Sequence, residues 1–119
     1  MAAPNLIGAT TITGKTQVVN LTTATSNVIT NSSGSNTVSK INTVSLSNYS
    51  SSALEVNVVI NRSSVVYYLG GGIVVPSKST LVLIARDTTV YLEEGDVLQA
   101  NTTANSSITL TASYELISG

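Results

Sequence analysis

Along residues 54–61 apolar and polar side chains alternate. Leu54, Val56, Val58 and Ile60 fall on one face, Glu55, Asn57 and Asn61 on the other. A period of two is the mark of a half-buried β-strand, because successive side chains of a strand point to opposite sides. The same alternation returns near the end of the chain. There Ile108, Leu110, Ala112, Tyr114 and Leu116 share a face, opposed by Thr109, Thr111, Ser113 and Glu115. Residues 38–46 also read as a strand, with a less regular mixture of Val38, Lys40, Asn42, Val44 and Leu46. Residues 80–85 are apolar on both sides, which predicts a strand covered on both faces.

Turn signals punctuate these runs. Residues 31–36 (Asn-Ser-Ser-Gly-Ser-Asn) and 48–52 (Asn-Tyr-Ser-Ser-Ser) predict flexible loops. Gly70, Gly71 and Gly72 between two apolar runs predict a hairpin tip. Pro76 to Ser79, Arg86-Asp87 and Glu94-Gly95-Asp96 predict further turns. Helix signals are nearly absent, and Val, Ile and Thr favour a pleated sheet. Strands spaced by about eight to twelve residues predict an all-β, antiparallel β-sandwich of eight to ten strands, jelly-roll or immunoglobulin-like. Strand pattern alone does not choose between those two topologies.

Composition narrows the function. The 119 residues contain no Cys, His, Trp or Phe, about two fifths are Ser, Thr or Asn, and 9% are charged. At this length the chain is one domain, read as an arm over residues 1–9 followed by a sandwich over 10–119. A net charge of −1 supplies no basic surface for nucleic acid and no polybasic patch for a membrane. No apolar run approaches the length of a membrane helix, and the first residues do not read as a signal peptide. With few aromatics in the core and few charges on the surface, the composition favours a subunit packed beside copies of itself.

Candidate chemistry is thin. Without His a Ser-His-Asp triad is excluded, and three Lys support no Ser-Lys dyad. A pair such as Asp87 with Glu115 could in principle supply the acid and base of a glycosidase, but nothing in the sequence brings the two together. Glu93, Glu94 and Asp96 offer oxygen ligands for Ca²⁺, but Gly95 among them favours a turn, with Asp96 capping it and both Glu side chains in water. The chain is therefore read as a non-enzyme without cofactor or metal. Tyr67 and Tyr68 are expected to place one ring in the core and one outside. Tyr49 and Tyr68 are the candidate exposed contacts. Asn20-Leu21-Thr22, Asn48-Tyr49-Ser50 and Asn101-Thr102-Thr103 match the glycan-acceptor triplet, which chance produces readily in such a composition.

Several segments carry a family resemblance. The opening Met1-Ala2-Ala3-Pro4-Asn5-Leu6-Ile7-Gly8, Thr11-Ile12-Thr13-Gly14-Lys15-Thr16, Val90-Tyr91-Leu92-Glu93-Glu94-Gly95-Asp96 and the ending Ser113-Tyr114-Glu115-Leu116-Ile117-Ser118 resemble small structural proteins of tailed bacteriophages, especially cyanophage-like marine myoviruses. The resemblance spans most of the chain and brings no catalytic residue with it. It implies a virion component on the outer surface of the head. The expected role is a capsid decoration (cement) protein bound between major capsid protein subunits, in a homo-oligomer taken to be a trimer. Pro4, Asn5, Leu6 and Ile7 are the expected capsid-contact arm. The alternative is a receptor- or glycan-contacting module of a tail or head fibre.

Overall fold

A computed structural model describes residues 11–85, 89–104 and 107–118. They form nine strands and no helix: β1 (Thr11–Asn20), β2 (Ser26–Thr30), β3 (Thr37–Asn48), β4 (Leu54–Arg62), β5 (Val65–Val75), β6 (Ser79–Ile84), β7 (Val90–Leu92), β8 (Val97–Thr102) and β9 (Ile108–Ser118). The predicted arm, with Pro4, Asn5, Leu6 and Ile7, lies outside the described residues, as does the predicted turn at Arg86-Asp87.

Two antiparallel sheets face each other. The first runs β1-β9-β3-β6, with β7 beside β6 on the same edge of β3; the second runs β2-β8-β4-β5. The pairings are nested: β1 with β9, β2 with β8, β3 with β6 and β7, β4 with β5. A long hairpin ribbon rolled so that its successive pairs fall alternately in one sheet and the other has this order. That is a jelly roll, and the immunoglobulin alternative is set aside by strand order.

The core lies between the sheets. It is aliphatic: Ile41, Val44, Leu46, Leu92, Ile108 and Leu110 from the first sheet meet Val56, Val58, Ile60, Val75 and Leu98 from the second. Leu54, Val56, Val58 and Ile60 of β4 do share the inward face, as their alternation predicts. In β9, Ile108, Leu110, Ala112 and Tyr114 point inward as well. Each fully buried aliphatic contributes roughly 1.5–3 kcal/mol.

The mixed pattern of β3 has a physical cause. Its register against β9 slips between Ile41 and Thr43, so one extra residue sits in the strand. Such a bulge inverts which parity faces the core. Ser39 and Ile41 point inward before it, and Val44, Leu46 and Asn48 after it. Val38 pairs with Ile117, which pairs in turn with Ile12, on the outer side.

Three expectations are corrected. The β4–β5 hairpin turns at Ser63-Ser64, both with positive φ (53° and 64°), not at Gly70–Gly72. Those glycines lie inside β5, where the register against β4 slips twice. Gly72 has φ +62°, and a side chain at Gly70 would overlap that of Ile73. Second, β6 is an edge strand rather than one covered on both faces, and its Val82 is 58% exposed. Third, neither ring of Tyr67 and Tyr68 enters the core; both are exposed.

Candidate functional site

Most of the few charges are used in structure. Asp96 lies in the turn between β7 and β8 and is fully buried. Its carboxylate accepts from Arg62 Nε (2.8 Å) and Nη2 (2.6 Å), and from the backbone N–H of Glu93 (2.9 Å). Arg62 also reaches Glu93 at 3.2 Å. Burial pushes the Asp96 carboxyl up, but the Arg62 hydrogen bonds, the Glu93 N–H and the Arg62 charge outweigh it and hold the carboxyl below its ordinary value. The Asp96 hydrogen bond is the main cause raising the Arg62 pKa further above its ordinary value. A cation would have to displace Arg62 from both Glu93 and Asp96. The predicted turn is therefore present, with Gly95 at φ +90°. Glu94 departs from expectation. It is half-buried and its carboxylate accepts the backbone N–H of Asn36. Among the described residues no group of three or more metal-ligating side chains occurs.

The glycosidase pair is not assembled among the described residues. Asp87 lies outside them, and Glu115 sits on the outer face of the first sheet with Asn42 (3.2 Å) and Lys40 (3.8 Å).

The two segments predicted as flexible loops are instead tied around buried amides. Asn31 Nδ2 donates to the carbonyls of Thr37 (3.0 Å) and Leu92 (2.9 Å), while its Oδ1 accepts from Ser35 and Thr37 hydroxyls. Asn48 Nδ2 donates to the carbonyls of Ser52 and Val75 (both 2.9 Å), and its Oδ1 accepts from Ser50 N and Oγ. Both amides use all their valences. Asn48 is thus buried, so its glycan-acceptor triplet is closed in the folded chain.

The rest of the surface is mostly uncharged, with Lys15 and Glu55 exposed on it, and it is patterned. On the outer face of the first sheet, register aligns the row Val18, Thr111, Ser45, Val82 and the row Asn20, Thr109, Ser47, Thr80. Among the described residues β5 is an edge of the second sheet, and it is apolar on both sides: Val65, Val66, Tyr67 and Tyr68 are all exposed. The β6 edge lies beside it.

The outer face of the second sheet is hollowed into a depression of about 150 Å³. Val59 is its floor, buried at 6% exposure yet outside the main core. Tyr68 and Gln99 flank Val59 in register on the neighbouring strands. Tyr68, 65% exposed, and Val66 form one wall. The other wall is a relay of amides. Asn101 Nδ2 donates to Thr25 Oγ1 (3.1 Å), Asn57 Nδ2 donates to Asn101 Oδ1 (3.0 Å), and Gly72 N donates to Asn57 Oδ1 (2.7 Å). Gln99 Nε2 donates to Asn27 Oδ1 (2.8 Å).

Of the two predicted contact residues, only Tyr68 lines this depression. Tyr49 stands past the end of β3, where its carbonyl accepts from Lys78 Nζ (3.2 Å). Sequence reasoning named Asn57 only as an outward residue of its strand and Asn101 only within a glycan-acceptor triplet, and it did not name Gln99. A signal for them exists: three amides at alternating, outward positions of two neighbouring strands. No family model matches the chain, and no curated protein matches it.

Proposed function

We propose that the chain is a capsid decoration (cement) protein of a tailed bacteriophage. It is a non-enzymatic subunit on the outer surface of the head, bound between major capsid protein subunits and associated with copies of itself, as a trimer. The observation that carries this reading is the β5 edge. An edge strand presents unpaired backbone donors and acceptors, and monomers blunt such edges with charge, Pro or a bulge. Residues 65–69 have none of the first two, and the bulges come only after Tyr68. Val65, Val66, Tyr67 and Tyr68 then expose apolar surface on both sides of a pairing-competent strand, as a subunit buried in an assembly does. Jelly rolls recur in capsid architecture, which fits by analogy of fold, and the resemblance of several segments to phage structural proteins points the same way.

Antibody labelling of intact virions, viewed by electron microscopy, tests the reading. Dense label over the head is expected. Label confined to the tail or to sparse projections would move the protein to the fibre alternative, which Tyr68 beside an uncharged depression supports. Deleting residues 2–7 is expected to abolish capsid binding and leave the thermal transition unchanged; full binding by the truncated protein would remove the arm from the interface.

A further inference from the structure

We infer that the depression over Val59 is a binding site for a neutral saccharide. Three properties of its lining lead there. First, none of the described lining side chains is charged, so an anionic or cationic ligand meets no counter-charge from them. Second, the amide relay leaves a mixed set of outward valences. Asn57 and Asn101 each use one N–H of their NH₂ group in the relay and Gln99 uses one on Asn27, which leaves the second of each to donate. Gln99 Oε1 and the Tyr68 hydroxyl have no partner among the described residues, and Thr25 retains a hydroxyl proton. A vicinal diol needs donors and acceptors together, since each of its hydroxyls does both. Third, the polar groups face an apolar floor and an exposed ring. A pyranose is amphipathic in the same sense, with hydroxyls at its rim and C–H groups on its face. The C–H face fits against Tyr68, with Val59 and Val66 beneath.

The relay also orients the site before anything binds. Each amide is held by its neighbour, and the relay ends on the backbone N–H of Gly72, whose φ of +62° turns that N–H toward Asn57. Pre-set donors lose less freedom on binding. The volume is below the roughly 300–1,000 Å³ of pockets that take drug-sized ligands. It therefore accommodates one sugar ring, as at the exposed end of a surface glycan. Such contact gives weak affinity per site, raised by several copies on one particle.

The site is tested on the isolated full chain, whatever its place on a virion. An array of neutral and acidic glycans is probed first, followed by titration of ¹⁵N-labelled protein with the methyl glycosides of glucose, galactose and mannose, and with uracil as a planar control without a diol. At least one neutral glycoside is expected to shift the resonances of Thr25, Asn57, Gly72, Gln99 and Asn101 together. Tyr68→Ala is expected to weaken that binding roughly tenfold, and Gln99→Ala to weaken it as well, with no change in the thermal transition. Tyr68→Phe should retain most of it. Absence of binding by every neutral glycan, shifts at other residues, preference for acidic glycans or uracil, or full binding by Tyr68→Ala would each overturn the inference. Virion labelling is read on the particle and sugar binding on the free chain, so either result can fail without the other.

Discussion

At the scale of single residues, buried polar groups take the place that disulfides and metals hold in other small domains. Asn48 holds the 48–52 segment to the end of β5 by two donated and two accepted hydrogen bonds. Asn48→Asp keeps the shape but replaces the NH₂ group, and with it both donated bonds, by one carboxylate oxygen facing two carbonyls. It is expected to cost about 2 to 3 kcal/mol, read as a drop in urea midpoint at unchanged slope. Asp96 gives a second test. Its folded pKa is depressed, so its contribution is full above the ordinary Asp value of about 3.9. It shrinks below that value, and it is lost once pH falls through the lower folded pKa. Asp96→Asn should therefore cost about 2 kcal/mol near neutrality. The gap to wild type should close as the protein is taken through acid. A gap independent of pH would show that the carboxylate charge is not what stabilises the turn.

At the scale of elements, the departures of β3 and β5 from simple alternation are both bulges. In β3 the extra residue inverts the inward parity, which is why Val38 and Lys40 fall out of phase with Val44 and Leu46. In β5 the glycines accommodate two slips against β4 rather than a reversal of the chain. The reversal is made by Ser63-Ser64 at positive φ, a conformation that Asn-Gly adopts with less strain. Ser63→Asn with Ser64→Gly is expected to raise stability by about 1 kcal/mol, measured as a higher thermal midpoint. A lower midpoint would mean that the serines make contacts at the turn that outweigh their strain. The misplaced hairpin has a plain cause. Glycine marks both turns and bulges, and only the pairing partner tells them apart.

At the scale of the molecule, the rolled ribbon leaves the β5 and β6 edges side by side, with apolar side chains exposed along them. A charge placed there should act on association and not on folding. Val66→Lys is expected to shift sedimentation from oligomer to monomer with little change in thermal midpoint. A wild-type chain that sediments as a monomer at high concentration would remove this edge from the proposed self-interface.

The sequence by itself determined the strands β3, β4, β6 and β9, the inward faces of β4 and β9, and a core made of aliphatic residues. Period-two alternation and β-branched content are local properties, and local sterics suffice to read them. It also determined that groups capable of catalysis are scarce, since composition does not depend on folding. Only the tertiary structure decided the nested order that makes the sheets a jelly roll, because pairing joins residues far apart in the chain, such as Thr11 with Ser118. Arg62 is matched to Asp96 for the same reason: Arg62 ends β4, which pairs with β8, and the Asp96 turn leads into β8. Asn57, Gln99, Asn101 and Tyr68 become one lining only when β4, β5 and β8 lie side by side. Each is an ordinary outward residue of its own strand, and the concavity belongs to the sheet they share.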